Sequence, residues 1–201
     1  MGGRAGGGGG GLGRGDANYK GSISGVESLK NIKDPKLYNE MKAAISRFHS
    51  ALGIAQKEVK LANLQGAYGV HVTSNGKSEA IYLNKGTFKN GTIKSVGSQK
   101  EKDYASGWST KTNKPVAHTL THELAHATWN NHLSGINQKA AGKEINALYK
   151  KWSSDRKKTG YGKYAKSNVN EFWAETVTKG IHGKSDKYTK AAFKIAKKYK
   201  L

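Results

Sequence analysis

Residues 115–127 read PVAHTLTHELAHA, and this stretch carries the clearest structural pattern in the chain. Its apolar residues recur with the period of one helix face and form a single stripe, made of Val116, Leu120, Leu124 and Ala127. Pro115 suits the first turn of a helix, because the N–H that it lacks would have no intrahelical partner there. The pattern therefore predicts a buried helix that begins near residue 115.

Two histidines lie one turn apart on this predicted helix, within the motif H-E-x-x-H. His122 and His126 are four residues apart, so they project from the same face and can hold one metal ion. Glu123 lies beside them, where a carboxylate can take a proton from an activated water molecule. A coincidental pair of helical histidines is the alternative. The chain has no cysteine, so a Zn²⁺ site would have to use histidine and carboxylate ligands.

A catalytic zinc ion needs a third protein ligand, and His132 is one candidate. It follows His126 by six residues, the spacing found in the motif H-E-x-x-H-x-x-G-x-x-H. Trp129 stands where that motif needs a glycine to turn the chain, and both methionines, Met1 and Met41, lie upstream of the motif. We therefore expect His132 to be a surface residue.

Two carboxylates on a second predicted helix, Glu171 and Glu175, are the other candidates. They are also four residues apart, so one could bind zinc while the other orients a ligating histidine from behind. Phe172 and Trp173 lie between them and indicate a closely packed helix. The alternative is that both carboxylates are exposed partners of neighbouring lysines.

The two motifs together, H-E-x-x-H at 122–126 and Y-A-x-x-N-x-x-E-F-W-A-E at 164–175, carry a family resemblance. They resemble the gluzincin metallopeptidases of the anthrax toxin lethal factor type. The chain looks especially like the compact versions associated with phage minor head proteins and bacterial toxin cassettes. The resemblance covers about residues 65–182 and implies a zinc-dependent endopeptidase with a protein or peptide substrate.

The resemblance also implies roles for particular residues. It makes Glu171 the third zinc ligand and Glu175 the carboxylate behind the ligands, one turn further on. Tyr164 would lie near the zinc ion, where it stabilises the oxyanion or protonates the leaving amine. The chain departs mildly from the family pattern at Ala125, often a glycine, and at Trp173.

Three further features have open roles in the sequence. His182 could support the oxyanion, but a surface position is the interpretation that we favour. His118 lies one turn before the first ligand and would be either behind the ligands or at the surface. The predicted strand that contains residues 81–83 is a candidate edge for an extended substrate to pair with.

The pattern along the chain predicts one domain of the α+β class, with a small sheet, an active-site helix and C-terminal helices. Residues 1–30 are rich in glycine and should form a flexible tail, which leaves residues 31–201 for a compact zincin-like domain. An amphipathic helix should run from Asp34 to Gly53. Residues 69–84 should form a hairpin with an Asn75-Gly76 turn, and residues 85–112 should be mostly loop with one short strand. Further helices are predicted around residues 141–152, 169–181 and from 185.

The charge of the chain raises a rival interpretation. There are 35 Lys and Arg against 14 Asp and Glu, a formal net charge of +21, and nearly all the basic residues are lysines. Lysine is a solvated point charge, so we expect a basic surface with at most weak, non-specific contact to nucleic acid. The rival is a nucleic-acid- or virion-associated binding protein whose zinc site is structural or degenerate. A protein that lies on a membrane through residues 184–200 is a third interpretation.

Two features of the sequence bear on the expected location. No apolar run is long enough for a transmembrane segment, and no secretory signal peptide is visible. We expect a monomer in the cytoplasm of the producing cell, or one packaged in a virion or delivered by a specialised route.

Overall fold

The computed structural model describes residues 28–53, 58–74, 77–129 and 135–201. These parts of the chain contain seven α-helices and three strands, so the predicted α+β class is confirmed. The helices are α1 Pro35–Leu52, α2 Lys85–Phe88, α3 Ile93–Ala105, α4 Pro115–Trp129, α5 Gly135–Ser154, α6 Val169–His182 and α7 Lys187–Tyr199. The strands are β1 Val59–Ala62, β2 Gly69–Ser74 and β3 Lys77–Asn84. Most of the predicted tail lies outside the described residues, and residues 28–31 form a short 3-10 turn ahead of α1.

The first helix has the ends that the sequence predicts. The Asp34 side chain accepts a hydrogen bond from the backbone N–H of Lys36, and Pro35 occupies the first helical position. Gly53 ends the helix in the left-handed region, with φ 66°. The predicted helices near 141–152, 169–181 and 185 are also present, as α5, α6 and α7.

The sheet has the strand order β1-β3-β2. β2 and β3 pair antiparallel, which confirms the predicted hairpin; residues 75 and 76, the predicted turn, lie outside the described residues. β1 was not predicted, and it pairs parallel with β3, with Val59 opposite Ile81. Residues 81–83 are therefore in the central strand, and the prediction that they form a free edge is wrong. β2 is an outer strand of the described sheet.

The prediction that residues 85–112 are mostly loop is also wrong, because they contain α2 and α3. Thr92 and Ser95 form a reciprocal capping box at the start of α3. The buried face of this helix includes Lys100 and Asp103, which form an ion pair of 3.2 Å. A helix that buries paired charges shows no apolar stripe in its sequence, so its periodicity could not be recognised.

The helix α4 lies at the centre of the molecule, between α1, α3, α6 and the sheet. All four residues of its predicted apolar stripe are buried. α6 packs along α4 on one side and against α7 on the other. The two motifs found in the sequence are therefore on adjacent, buried helices. No helix in the described parts of the chain is long and apolar enough to cross a membrane.

Candidate metal centre

The candidate metal ligands lie on two helices, α4 and α6, and a particular residue begins or caps each helix. Pro115 opens α4, which carries both histidines of the motif. Asn168 caps α6, and its side-chain oxygen accepts hydrogen bonds from the N–H groups of Asn170 and Glu171. This cap fixes the first turn of α6, so that Glu171 projects from that turn towards α4.

Three atoms from these helices converge on one point. Nε2 of His122 lies 3.0 Å from Nε2 of His126 and 3.1 Å from Oε2 of Glu171. Nε2 of His126 lies 3.3 Å from the same carboxylate oxygen. The side chains of His122 and Glu171 are almost fully buried, and that of His126 is somewhat more exposed.

This triangle has the size and the chemistry of a metal site. Ligand atoms around a tetrahedral zinc ion with bonds of about 2.0–2.1 Å lie about 3.3 Å from each other. Two imidazole nitrogens and one carboxylate oxygen are a donor set that suits zinc, and they leave one position of a tetrahedron open. Of the candidate ligands in the sequence, His122, His126 and Glu171 therefore form a group that could hold a metal ion.

The charges around the triangle favour a cation. Burial alone would lower the pKa of His122, but its contacts with Glu171 and Glu175 outweigh burial and raise that pKa to about 10. Burial would raise the pKa of Glu171, but His122 and His126 outweigh it and hold that pKa well below 4.5. Burial would also raise the pKa of Glu175, but His118 and His122 outweigh it and hold that pKa well below 4.5. Both carboxylates therefore favour positive charge between the helices, whether it comes from a proton or from a metal ion.

Glu175 lies behind the triangle and is completely buried. Its Oε1 is 3.0 Å from Nδ1 of His122, a close ion-pair contact rather than an aligned hydrogen bond. The same oxygen accepts a hydrogen bond of 3.1 Å from Nε2 of His118, and Oε2 accepts one of 2.6 Å from the N–H of Thr110. His118, His122 and Glu175 are a second buried group that could hold a metal ion.

Glu123 lies on α4 beside the start of β2 and is 98% buried. Gly69, the first residue of β2, is in contact with its side chain, and the backbone N–H of His71 hydrogen-bonds to its carboxylate. Burial raises the pKa of Glu123, and the nearby His122 and His126 only partly oppose this rise. A carboxylate with a raised pKa beside a metal site has the properties of a proton acceptor.

Tyr164 belongs to a short 3-10 turn, Tyr164–Lys166, just before α6. Its ring stacks on that of His122, with the centroids 5.6 Å apart. Burial, followed by the charges of Glu171 and Glu123, raises the pKa of the phenol, so the hydroxyl keeps its proton. The hydroxyl is buried and makes no well-aligned hydrogen bond within the described parts of the chain, although Glu171 is near.

The other histidines differ in where the structure places them. His182 is buried and bonds to Thr121 Oγ1 at 2.8 Å, so its predicted surface position is wrong: it ends α6 where that helix packs on α4. His118 is buried and bonded to Glu175, so the surface alternative is wrong for it as well. His132 lies outside the described residues, and its predicted surface position stays a prediction.

The segment between α3 and α4 contributes residues that the sequence did not reveal. Trp108 stacks on the Tyr164 ring at 5.4 Å, and the backbone of Thr110 holds Glu175. Tyr104, at the end of α3, reaches the same region. These residues lie in a stretch without periodicity or motif, so only the three-dimensional structure connects them with the centre.

No known protein family, no curated protein and no solved structure matches the chain.

Proposed function

We propose that this chain is a zinc-dependent endopeptidase. The observation that carries the proposal is the triangle of His122, His126 and Glu171 donor atoms, 3.0–3.3 Å apart, with Glu123 buried beside it. A purely structural zinc site has a closed set of four protein ligands, whereas three ligands beside a buried carboxylate are typical of hydrolytic zinc sites. The resemblance of the two sequence motifs further suggests a phage- or toxin-associated role.

Each residue has a chemical task in this proposal. His122, His126 and Glu171 would hold the zinc ion, which when bound would supply Lewis acidity for peptide hydrolysis. Glu123 accepts the proton of the attacking water molecule and passes it to the leaving amine. Tyr164 keeps its proton and donates a hydrogen bond to the oxygen on which negative charge develops. The ion-pair contact of Glu175 with Nδ1 of His122 leaves Nε2 of that ring free for the metal.

The substrate would pair with β2. Extended peptides bind enzymes and receptors by adding a strand to an outer edge of a sheet. β2 is an outer strand of the described sheet, and its first residue touches Glu123. A peptide along β2 would therefore pass the proton acceptor, whereas β3 has strands on both sides.

The first test compares the full chain with its Glu123→Gln variant. Both should bind about one zinc ion per chain, because Glu123 is not among the proposed ligands. Cleavage of a mixed peptide library, read by mass spectrometry as new termini, should fall by at least about 100-fold in the variant. Cleavage at the wild-type rate by Glu123→Gln would contradict the mechanism.

Zinc content after substitution distinguishes the candidate third ligands. Glu171→Ala should lose zinc almost as completely as His126→Ala, and His132→Ala should keep it. If His132→Ala lost zinc and Glu171→Ala kept it, the third ligand would be His132 rather than Glu171.

A further inference from the structure

We propose that His118 and Tyr104 are positioning residues of the metal centre and act on it through Glu175. The inference rests on the proposed zinc site of the preceding section. It concerns a chain of hydrogen bonds that enters the centre from α3, on the side away from Glu171.

The hydrogen-bonded groups come from α3, α4, α6 and the segment between α3 and α4. The hydroxyl groups of Thr112 and Tyr104 are 2.8 Å apart, and the Tyr104 hydroxyl is 3.1 Å from Nδ1 of His118. Nε2 of His118 is 3.1 Å from Oε1 of Glu175, which in turn contacts Nδ1 of His122 at 3.0 Å. All five side chains are buried, so water does not compete for these contacts.

The chemistry of the groups fixes the direction of each bond. An ionised carboxylate only accepts, so the His118 proton must be on Nε2, and Nδ1 of the neutral ring must accept from Tyr104. The Tyr104 oxygen then accepts from Thr112. Burial and the charge of Lys100 lower the pKa of His118 to about 4, which agrees with a neutral ring. The chain therefore has a single arrangement of protons.

These hydrogen bonds fix the orientation of the Glu175 carboxylate beside the metal site. Oε2 of this carboxylate is held by the N–H of Thr110, and Oε1 is held by His118 while it faces His122. Without the His118 donor, one of these restraints is lost, and the carboxylate no longer has a fixed position beside Nδ1 of His122. Groups behind metal ligands typically change metal affinity by about 10–100-fold when they are removed.

The test is the zinc affinity of the full chain, measured by competition with a chromophoric chelator. His118→Leu, which cannot donate, should bind zinc about 10–100-fold more weakly than the wild type. His118→Gln, whose amide can occupy the Nε2 position and donate to Glu175, should recover most of the affinity. Tyr104→Phe removes one hydroxyl and should weaken binding in the same direction by a smaller factor.

Two controls separate positioning from general destabilisation. Tyr161→Phe also removes a tyrosine hydroxyl, one that bonds to Asp186 and to no residue of the centre, and should leave zinc affinity unchanged. His126→Ala removes a proposed zinc ligand and shows how far zinc affinity falls when a direct ligand is lost. Thermal unfolding of each metal-free variant reports its stability independently of affinity.

The outcomes are distinct. If the wild type does not bind zinc, the proposed function itself fails. If it binds, but His118→Leu and Tyr104→Phe bind equally well, only the positioning role is overturned. If His118→Leu loses as much affinity as His126→Ala and the Gln variant does not recover it, His118 is a ligand rather than a positioning residue. If His118→Leu does not fold, the zinc affinities of Tyr104→Phe and Tyr161→Phe still test the positioning role, because only the first should be weakened.

Discussion

Gly69, the first residue of β2, lies directly against the side chain of Glu123. A Cβ atom at this position would be 2.9 Å from Cγ2 of Thr119 and 3.0 Å from Cγ of Glu123. Non-bonded carbon atoms normally approach to about 3.5–4.0 Å. The absence of a side chain at Gly69 therefore lets the outer strand and the proton acceptor lie side by side.

Gly69→Ala should for this reason impair catalysis more than metal binding. The added methyl group displaces Glu123, and a displacement of about 1 Å in a catalytic group can cost about 100-fold in rate. We expect peptide cleavage to fall by about 10–100-fold while the zinc content stays near that of the wild type. Gly142→Ala in α5 is the matched control, because a Cβ there would meet nothing within 4 Å. Loss of zinc from Gly69→Ala, or unchanged cleavage, would contradict this prediction.

At the scale of the elements, Asp186 joins α6 to α7. Its Oδ1 accepts hydrogen bonds from the N–H groups of Tyr188 and Thr189 and so caps α7. Its Oδ2 accepts a hydrogen bond of 2.5 Å from Nζ of Lys179, a buried residue of α6. One carboxylate thus holds the start of the last helix against the helix that carries Glu171.

Asp186→Asn should destabilise the protein at neutral pH, with a defined pH dependence. Burial tends to raise the Asp186 pKa, but Lys179 and the Thr189 N–H outweigh it and lower that pKa below 3.8. Such a group stabilises the fold above its unfolded pKa, and this stabilisation is lost as the pH falls through the folded value. Urea unfolding should therefore show a deficit of about 1–3 kcal/mol at pH 7 that stays constant to about pH 5 and shrinks below about pH 4.

The control for Asp186 is an exposed ion pair that joins α5 to α7. Glu144 bonds to Lys198 of α7, and both side chains are substantially exposed. Glu144→Gln should change the free energy of unfolding by less than about 1 kcal/mol. A deficit for Asp186→Asn that does not change between pH 7 and the lowest pH at which the protein folds would show that the carboxylate charge is not its source.

The elements also show what the sequence could and could not predict. α1, α4, α6 and α7 were predictable because each has a cap residue or an apolar stripe of its own. Helical spacing alone left Glu171 and Glu175 as alternatives, and only the family resemblance of the two motifs assigned Glu171 to the histidines. By contrast, β1 has only four residues, too few to show a clear alternation, and its place in the sheet depends on β3. The contact of Thr110 with Glu175 spans 65 residues of sequence and involves a backbone group, for which no sequence pattern exists.

At the scale of the whole molecule, the excess of lysine makes the surface basic, and burial of three acidic residues in the candidate centre adds to this. Glu123, Glu171 and Glu175 are buried in the candidate centre, so these carboxylates do not offset the lysines outside. The exposed side of α7 carries a row of lysines: Lys187, Lys190, Lys194, Lys197 and Lys198. Lys187 and Lys198 have acidic partners, Asp155 and Glu144 respectively. The net charge of +21 thus acts mainly through long, solvated side chains.

This surface should bind nucleic acid weakly, without sequence preference and with a steep dependence on salt. Lysine–phosphate contacts release counterions, so the affinity for duplex DNA should fall linearly on a plot of log K against log salt, with a slope of about −0.9 per phosphate neutralised. Replacing Lys190, Lys194 and Lys197 by Gln removes up to about three lysine–phosphate contacts, and the slope should become shallower by the contribution of those contacts.

The matched control moves the same change in charge to another surface. A triple Gln variant of Lys33, Lys36 and Lys42, which are exposed at or near α1, should flatten the slope less if the lysines of α7 form the main contact. Neither variant should alter zinc content or peptide cleavage, because none of these six lysines contacts the centre. Fluorescence anisotropy between 50 and 200 mM salt measures both slopes. Sequence-selective binding that persists at physiological salt would instead favour a nucleic-acid-binding protein with a structural zinc site, since weak lysine contacts cannot produce it.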